Sequence, residues 1–304
     1  MTDAPLIVSQ PVRAALAGNA PVVALESTII THGMPWPRNL ETAKAAEEAV
    51  RAADATPATV AVIDGRICVG LEPEALTALA RDVAAAKLSR ADLALCLARR
   101  QTGSCTVAAT MICARLAGIS VFATGGIGGV HAGAETSFDI SADLAELAQT
   151  PVTVVAAGAK AILDLPKTLE VLETLGVPVI CHGSDEFPAF WSRRSGLPAP
   201  ARMDSAAEIA RAHALRAALG LPGGQLVANP IPPEAEIPLE ELAPLIARAQ
   251  REAEAEGIRG KAVTPFLLAR LFELTEGRSL EANIALLLNN ARLAAAIACE
   301  LAGR

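Results

Sequence analysis

Tyrosine is missing from this sequence, and aromatic residues fill only 3% of its 304 positions. A core built on stacked rings is thereby excluded. The 52% of hydrophobic residues are mostly Ala, Leu, Val and Ile, which suit helices packed on a sheet. Basic residues are outnumbered too: 26 Lys and Arg against 33 Asp and Glu leave a net charge of −7. That balance argues against a general nucleic-acid binder, which needs clustered cations to displace counterions. It leaves room for a small anion held by a few local groups. Cys68, Cys96, Cys105, Cys113, Cys181 and Cys299 include no Cys-x-x-Cys pair, so buried thiols in a reducing compartment are expected rather than structural zinc. The N-terminus M-T-D-A-P-L-I-V-S-Q has no basic region followed by an apolar core. No uninterrupted apolar run approaches the ~20 residues of a membrane helix. The expectation is a soluble, cytoplasmic protein with neither a nucleic acid nor a membrane as partner.

Short apolar runs alternate with helix-period segments along the whole chain. P-V-V-A-L-E (21–26), I-S-V-F-A (119–123), V-T-V-V-A-A (152–157), V-P-V-I-C (177–181) and Q-L-V-A-N (225–229) read as buried strands. T-V-A-V-I-D-G-R-I-C-V-G (59–70) reads as a hairpin turning on Asp64-Gly65. Periodicity predicts helices over 39–54, 73–86, 89–99, 106–117, 140–149, 159–175, 205–219, 238–256, 264–275 and 279–301, with Ser89 and Ser205 as N-caps. Such alternation predicts an α/β fold covered on both faces, with at least one antiparallel hairpin. No stretch looks like a domain linker, so residues 1–304 are expected to form one domain. Ligands of such sheets bind at the carboxyl ends of strands.

The stretch T-G-G-I-G-G-V-H (124–131) follows a strand, as a dinucleotide fingerprint should. Its spacing is not G-x-G-x-x-G, and the next strand ends in A-A-G-A-K without an acid for a ribose, so a Rossmann site is not expected. The glycines imply either close backbone approach or tight turns. Asp139 and Asp143 follow, four apart near a helix start. They either complement the helix dipole, or Asp139 binds a divalent cation while Ser141 and nearby amides contact an anion. Lys160 sits just past a strand, at the entrance of the helix expected from 159, among Ala157, Gly158 and Ala159. It is either a solvated cation or an amine able to attack a carbonyl. Glu26 ends the first buried strand as a cap or a general acid. Q-T-G-S-C-T-V (101–107) offers an anion cradle or a plain N-cap, and Lys87 a point charge for the same anion. His32 and His131 stand in glycine-containing loops; His182 and His213 carry no distinctive signal.

Taken together, A-L-E-S-T-I-I-T-H-G-M-P (24–35), T-V-A-A-T-M (106–111), T-G-G-I-G-G-V-H (124–131), F-D-I-S-A-D-L (138–144), V-T-V-V-A-A-G-A-K-A-I-L-D-L (152–165), V-A-N-P-I-P (227–232) and T-P-F-L-L-A-R (264–270) resemble the pseudouridine-5′-phosphate glycosidase, or indigoidine-synthase A-like, family. The likeness runs from about residue 20 to residue 300. It implies a three-layer α/β/α fold with a mixed, mostly parallel sheet, and a homotrimer. It also implies reversible cleavage of pseudouridine 5′-phosphate to uracil and ribose 5-phosphate, with a divalent metal, typically Mn²⁺. By that resemblance Glu26 matches a proton donor and Lys160 the lysine that joins the sugar C1′. Asp139 matches the metal ligand. Lys87, Val107 and the run Ser141, Ala142 and Asp143 match substrate-contacting positions. Lys87, Thr106 and Ser141 are the candidates for the phosphate, and His131 is a further polar contact. The chain departs from the pattern at Ala132, where an Arg is common, at Cys105, where a Thr is, and at Thr136-Ser137. Two rival readings are a Schiff-base lyase or aldolase on another sugar phosphate, and a nucleotide-binding regulatory module.

Overall fold

A computed structural model describes residues 4–258 and 263–303. The first third contains β1 (Leu6–Val8), α1 (Gln10–Ala17), β2 (Val22–Leu25), α2 (Arg38–Arg51), β3 (Thr56–Ile63), β4 (Arg66–Val69), α3 (Pro73–Arg81), β5 (Ala86–Leu88) and α4 (Arg90–Ala98). Next come β6 (Gly103–Cys105), α5 (Val107–Ala117), β7 (Val121–Ala123), the short α6 (Ala134–Ser137), α7 (Ala142–Leu147), β8 (Thr153–Ala156) and α8 (Leu165–Thr174). The last part holds β9 (Val179–His182), β10 (Ala201–Met203), α9 (Ala206–Ala218), β11 (Gln225–Ala228), α10 (Leu239–Ala255), α11 (Val263–Leu274) and α12 (Arg278–Leu301).

One sheet takes in the strands from β1 to β10 in the order β1-β4-β3-β2-β7-β8-β11-β9-β10, with β6 on β3 and β5 on β6. Neighbours run parallel except at β3–β4 and β3–β6. The mixed, mostly parallel sheet is therefore as expected. Central strands β2, β8 and β11 are buried at every residue, which is why they read as unbroken apolar runs. The hairpin is also where Asp64-Gly65 puts it: both residues have positive φ, 48° and 73°, as a twisted two-residue turn needs.

Helices cover both faces. α12 lies across β2, β7 and β8 beside α2 and α9, while α5 lies on β2, β3 and β7 with α4 and α7 next to it. Ala282, Ala291, Ala294, Ala295 and Ala298 make up half of the buried face of α12. Their small side chains let the helix sit close to the sheet, so the scarcity of aromatics and the packing are one fact. Among the described residues α12 alone is long and apolar enough to cross a membrane; here that length serves the core.

Two expected helices end differently. The segment 73–86 stops at Arg81, because Asp82 turns extended and its side chain accepts the Ala84 amide. Ala86–Leu88 then becomes strand β5, which places Lys87 on the sheet. The segment 159–175 starts only at Leu165: Gly158 has φ +85°, Asp164 caps the Lys167 amide, and Pro166 stands in the first turn. Lys160 therefore lies in the loop between β8 and α8, five residues before the helix begins, and not at a helix entrance. β1, β5, β6 and β10 have three residues each, too few to show a period.

Candidate active site

Three adjacent parallel strands, β2, β7 and β8, end on one side of the sheet and hand over to Glu26, Thr124 and the loop bearing Lys160. Glu26 is 8% exposed. One carboxylate oxygen accepts from the Thr124 hydroxyl and the other from the Thr28 hydroxyl. Between Glu26 and Thr28, Ser27 points the other way: its hydroxyl donates to the Val60 carbonyl at 2.6 Å and accepts the Cys105 amide at 2.9 Å. The E-S-T run is thus pinned to β3 and β6, and the alternation of side chains sends Glu26 and Thr28 to the same place. A single wide turn, Ile29–Gly33, follows with π-helical spacing, a geometry frequent at functional sites.

Glu26, Lys87 and Lys160 line one cleft of about 620 Å³, counting its open mouth. His32 joins them, its Nδ1 beside the hydroxyls of Thr31 and Ser104. Burial, and then the Lys87 ammonium, hold the His32 imidazole below its usual range. Met34, Phe190, Leu268 and Leu286 give the cleft an apolar side. The lining thus joins two lysines and a carboxyl group to apolar side chains, the mixture typical of a small-molecule site.

The glycine stretch extends the ladder beyond β7 and β8. Thr124 N donates to the Val155 carbonyl at 3.0 Å, Ala157 N to Gly125 at 2.9 Å, Ile127 N to Gly158 at 3.1 Å and Lys160 N to Ile127 at 3.1 Å. Close approach is the reason for its openness. A Cβ on Gly128 would stand 2.2 Å from Ser141 Oγ and 2.8 Å from Asp143 Oδ2. The groups that come close are the protein's own.

Asp143 is buried, and both oxygens accept main-chain amides: Ala108 N at 3.0 Å and Gly128 N at 2.8 Å. It ties the first turn of α5 to the glycine loop. Thr106 caps α5 through Ala109 N, and Ser141 caps α7 through Asp143 N. Val107 is buried and Ala142 exposed. Thr106, Val107, Ser141, Ala142 and Asp143 gather around this junction and do not line the cleft of Glu26 and Lys160.

His131 and Asp139 line a second, open hollow together with Gln250 and Glu254 of α10. The His131 amide donates to the Asp139 carbonyl at 3.0 Å. Burial keeps the His131 imidazole below its ordinary value; Asp139 opposes this, while Lys160 and Lys87 add to it. Among the described residues no three His, Cys, Asp or Glu side chains converge as a metal cage, and no hydrogen bond or ion pair reaches the Asp139 carboxylate. A lone half-buried carboxylate fits a hard cation that keeps most of its water shell.

Sequence reasoning missed Thr28, Thr124, Phe190, Asn283 and Asn290. The asparagines left a trace: they stand seven apart on an Ala- and Leu-rich helix, where polar residues on the apolar face need partners. Trp191 Nε1 donates to Asn283 Oδ1 at 2.7 Å. His182 and His213 lie away from the cleft, beside Asn229 and Thr153.

Fold and site define an α/β protein with a strand-end cleft lined by one glutamate and two lysines. A family model described as "Indigoidine synthase A like protein" matches residues 11–300, and the chain belongs to that family. It is 72% identical over 297 residues to a protein of Jannaschia sp. (strain CCS1), covering 98% of each chain, and 71% identical over 301 residues to one of Paracoccus denitrificans (strain Pd 1222), covering 98% and 99%. Both relatives bear the name pseudouridine-5′-phosphate glycosidase. Among solved structures it resembles the prealnumycin C-glycosynthase AlnA in complex with ribulose 5-phosphate, with TM-score 0.92, 39% identity, and 99% and 98% of the two chains covered. An indigoidine synthase A-like protein of Thermotoga maritima matches with TM-score 0.90, 34% identity and the same coverage.

Proposed function

We propose that the chain cleaves, reversibly, the C–C glycosidic bond of pseudouridine 5′-phosphate, giving uracil and ribose 5-phosphate in pseudouridine breakdown. The observation that carries this reading is the meeting of Glu26, Lys87 and Lys160 in one cleft of a chain 72% identical to a relative so named. In a C-glycoside the base is bonded through carbon and cannot leave after simple protonation of an exocyclic oxygen or nitrogen, so a pair of carboxylates is not enough. The Lys160 amine attacks C1′, the C1′–O4′ bond breaks, and Glu26 gives its proton to O4′. The secondary ammonium so formed gives up a proton, its lone pair forms the C1′=N bond as C1′–C5 breaks, and uracil C5 takes the electron pair of the broken bond and that proton. Water adds to the iminium and releases ribose 5-phosphate and the free amine. Lys87, which lines the cleft, is the candidate for the phosphate; Thr106 and Ser141, the other two candidates, stand outside its lining as caps of α5 and α7.

Asp139 is the residue that would hold a divalent cation, manganese in the family pattern, which when bound supplies polarisation and an ordered water. Phe138, beside it, is 81% exposed. The homotrimer is carried by the family pattern alone, and the oligomeric state of the purified protein in solution tests it. One sheet running through the chain supports a single domain, and six free thiols support a reducing cytoplasm. Incubating the purified protein with pseudouridine 5′-phosphate and measuring free uracil tests the reading: release supports it, while turnover of other sugar phosphates without uracil release favours the lyase alternative.

A further inference from the structure

Asn290 lies on the buried face of α12 with 0% exposure. An amide in such a place is costly unless each polar atom is matched. Here each is. Nδ2 donates to the Thr124 carbonyl at 2.8 Å and faces that of Gly125 at 3.4 Å. Oδ1 accepts from Asn229 Nδ2 at 3.1 Å, and Asn229 Oδ1 pairs with His182 Nδ1 at 3.2 Å. The two carbonyls can only accept, so the amide has one orientation.

What Asn290 grips is the exit of β7. The Thr124 hydroxyl from that exit donates to Glu26, and the Gly125 carbonyl accepts the Ala157 amide, three residues before Lys160. Thr124 and Asn290 are both fully buried, and neither lines the cleft. Whatever they do for a ligand is done through Glu26 and the lysine loop.

We propose that Asn290 and Thr124 are positioning residues: Asn290, anchored on Asn229, fixes the Thr124-Gly125 carbonyls, and the Thr124 hydroxyl fixes the Glu26 carboxylate in the cleft. The inference rests on the reading of Glu26 and Lys160 as the reacting pair. Misplacing a reacting group by about 1 Å costs roughly 10²-fold in rate.

The test compares Thr124→Val, which keeps the shape and removes the hydroxyl, with Thr124→Ser, which keeps the hydroxyl. Asn290→Asp is the third variant; it keeps an acceptor for Asn229 and removes the donor to the two carbonyls. kcat and KM for pseudouridine 5′-phosphate are measured on each, with a melting curve to establish folding. Thr124→Val and Asn290→Asp should lose about 10–100-fold in kcat with KM within about twofold, and Thr124→Ser should recover most of the loss. A folded Thr124→Val with wild-type kcat overturns the proposal. So does a rise in KM alone, or a Thr124→Ser as slow as the valine. Should Asn290→Asp fail to fold, the threonine pair decides. A wild-type protein that releases no uracil would instead remove the functional reading itself.

Discussion

The main-chain amide of Lys160 donates to the carbonyl of Ile127 at 3.1 Å, three residues beyond the threonine whose hydroxyl holds Glu26. The segment 124–127 is therefore a strut between the proton donor and the lysine of the proposed reaction. Glu26 takes its place from the end of β2, and the loop bearing Lys160 is tied by this bond to the segment that continues β7. Sites carried on strand ends hold their geometry better than sites on loops.

Glu26→Gln should fold as the parent does and lose most of its rate. The amide keeps the shape between Thr28 and Thr124 but cannot give up a proton to O4′. General acids of this kind contribute about 10²–10⁴-fold. Steady-state kinetics on a variant with an unchanged melting curve reads the effect, and a loss below about tenfold would make Glu26 a structural cap.

Asp143→Asn should act on stability. The replacement turns one acceptor into a donor facing either Ala108 N or Gly128 N, where a donor already points. Hydrogen bonds to a charged group contribute about 1.5–3 kcal/mol, and a loss of that order is expected in denaturant unfolding. An unchanged midpoint and slope would mean the helix start and the loop are held by something else.

How far the sequence foretold this arrangement depended on the range of the signals. The Asp64-Gly65 hairpin and the caps at Ser89 and Ser205 were legible, because a turn or a cap is decided within four residues. Glu26 and Lys160 were legible as strand-end residues. The helix drawn through Lys160 was not there, since Gly158, Asp164 and Pro166 outweigh an apolar period. Thr124 and Asn290 are 166 residues apart, and only the sheet brings them together. Asp143 was legible as an acid at a helix start, but its bonds to the amides of Ala108 and Gly128, 35 and 15 residues away, were not.

Acid should weaken the fold through its histidines. Burial, with Arg216 and Arg115 adding to it, holds the His213 imidazole below its usual value. The unfolded chain then binds the proton first, so the stabilisation is present above pH about 6.5 and is lost as pH falls through the lower folded value. His32 and His131 carry the same sign. Melting temperatures at neutral and mildly acid pH should converge in His213→Gln relative to wild type, and identical slopes for the two would contradict the assignment.

Removing divalent metal should abolish uracil release, and added manganese should restore it. Asp139→Ala should bind manganese more weakly in a direct titration, with the cleft residues intact. Full turnover after chelation, or undiminished manganese affinity in the variant, would remove Asp139 from the role.

The covalent step at Lys160 is tested most directly by borohydride reduction in the presence of ribose 5-phosphate, whose open-chain form offers an aldehyde at C1′. Reduction should leave a stable sugar-phosphate adduct, and peptide mapping should find it on Lys160 and not on Lys87, although both amines line the same cleft. Lys160→Ala should take no label and lose turnover; Lys87→Ala should bind the sugar phosphate more weakly yet label at excess. An adduct on Lys87 alone, or near-normal turnover in Lys160→Ala, would contradict the mechanism.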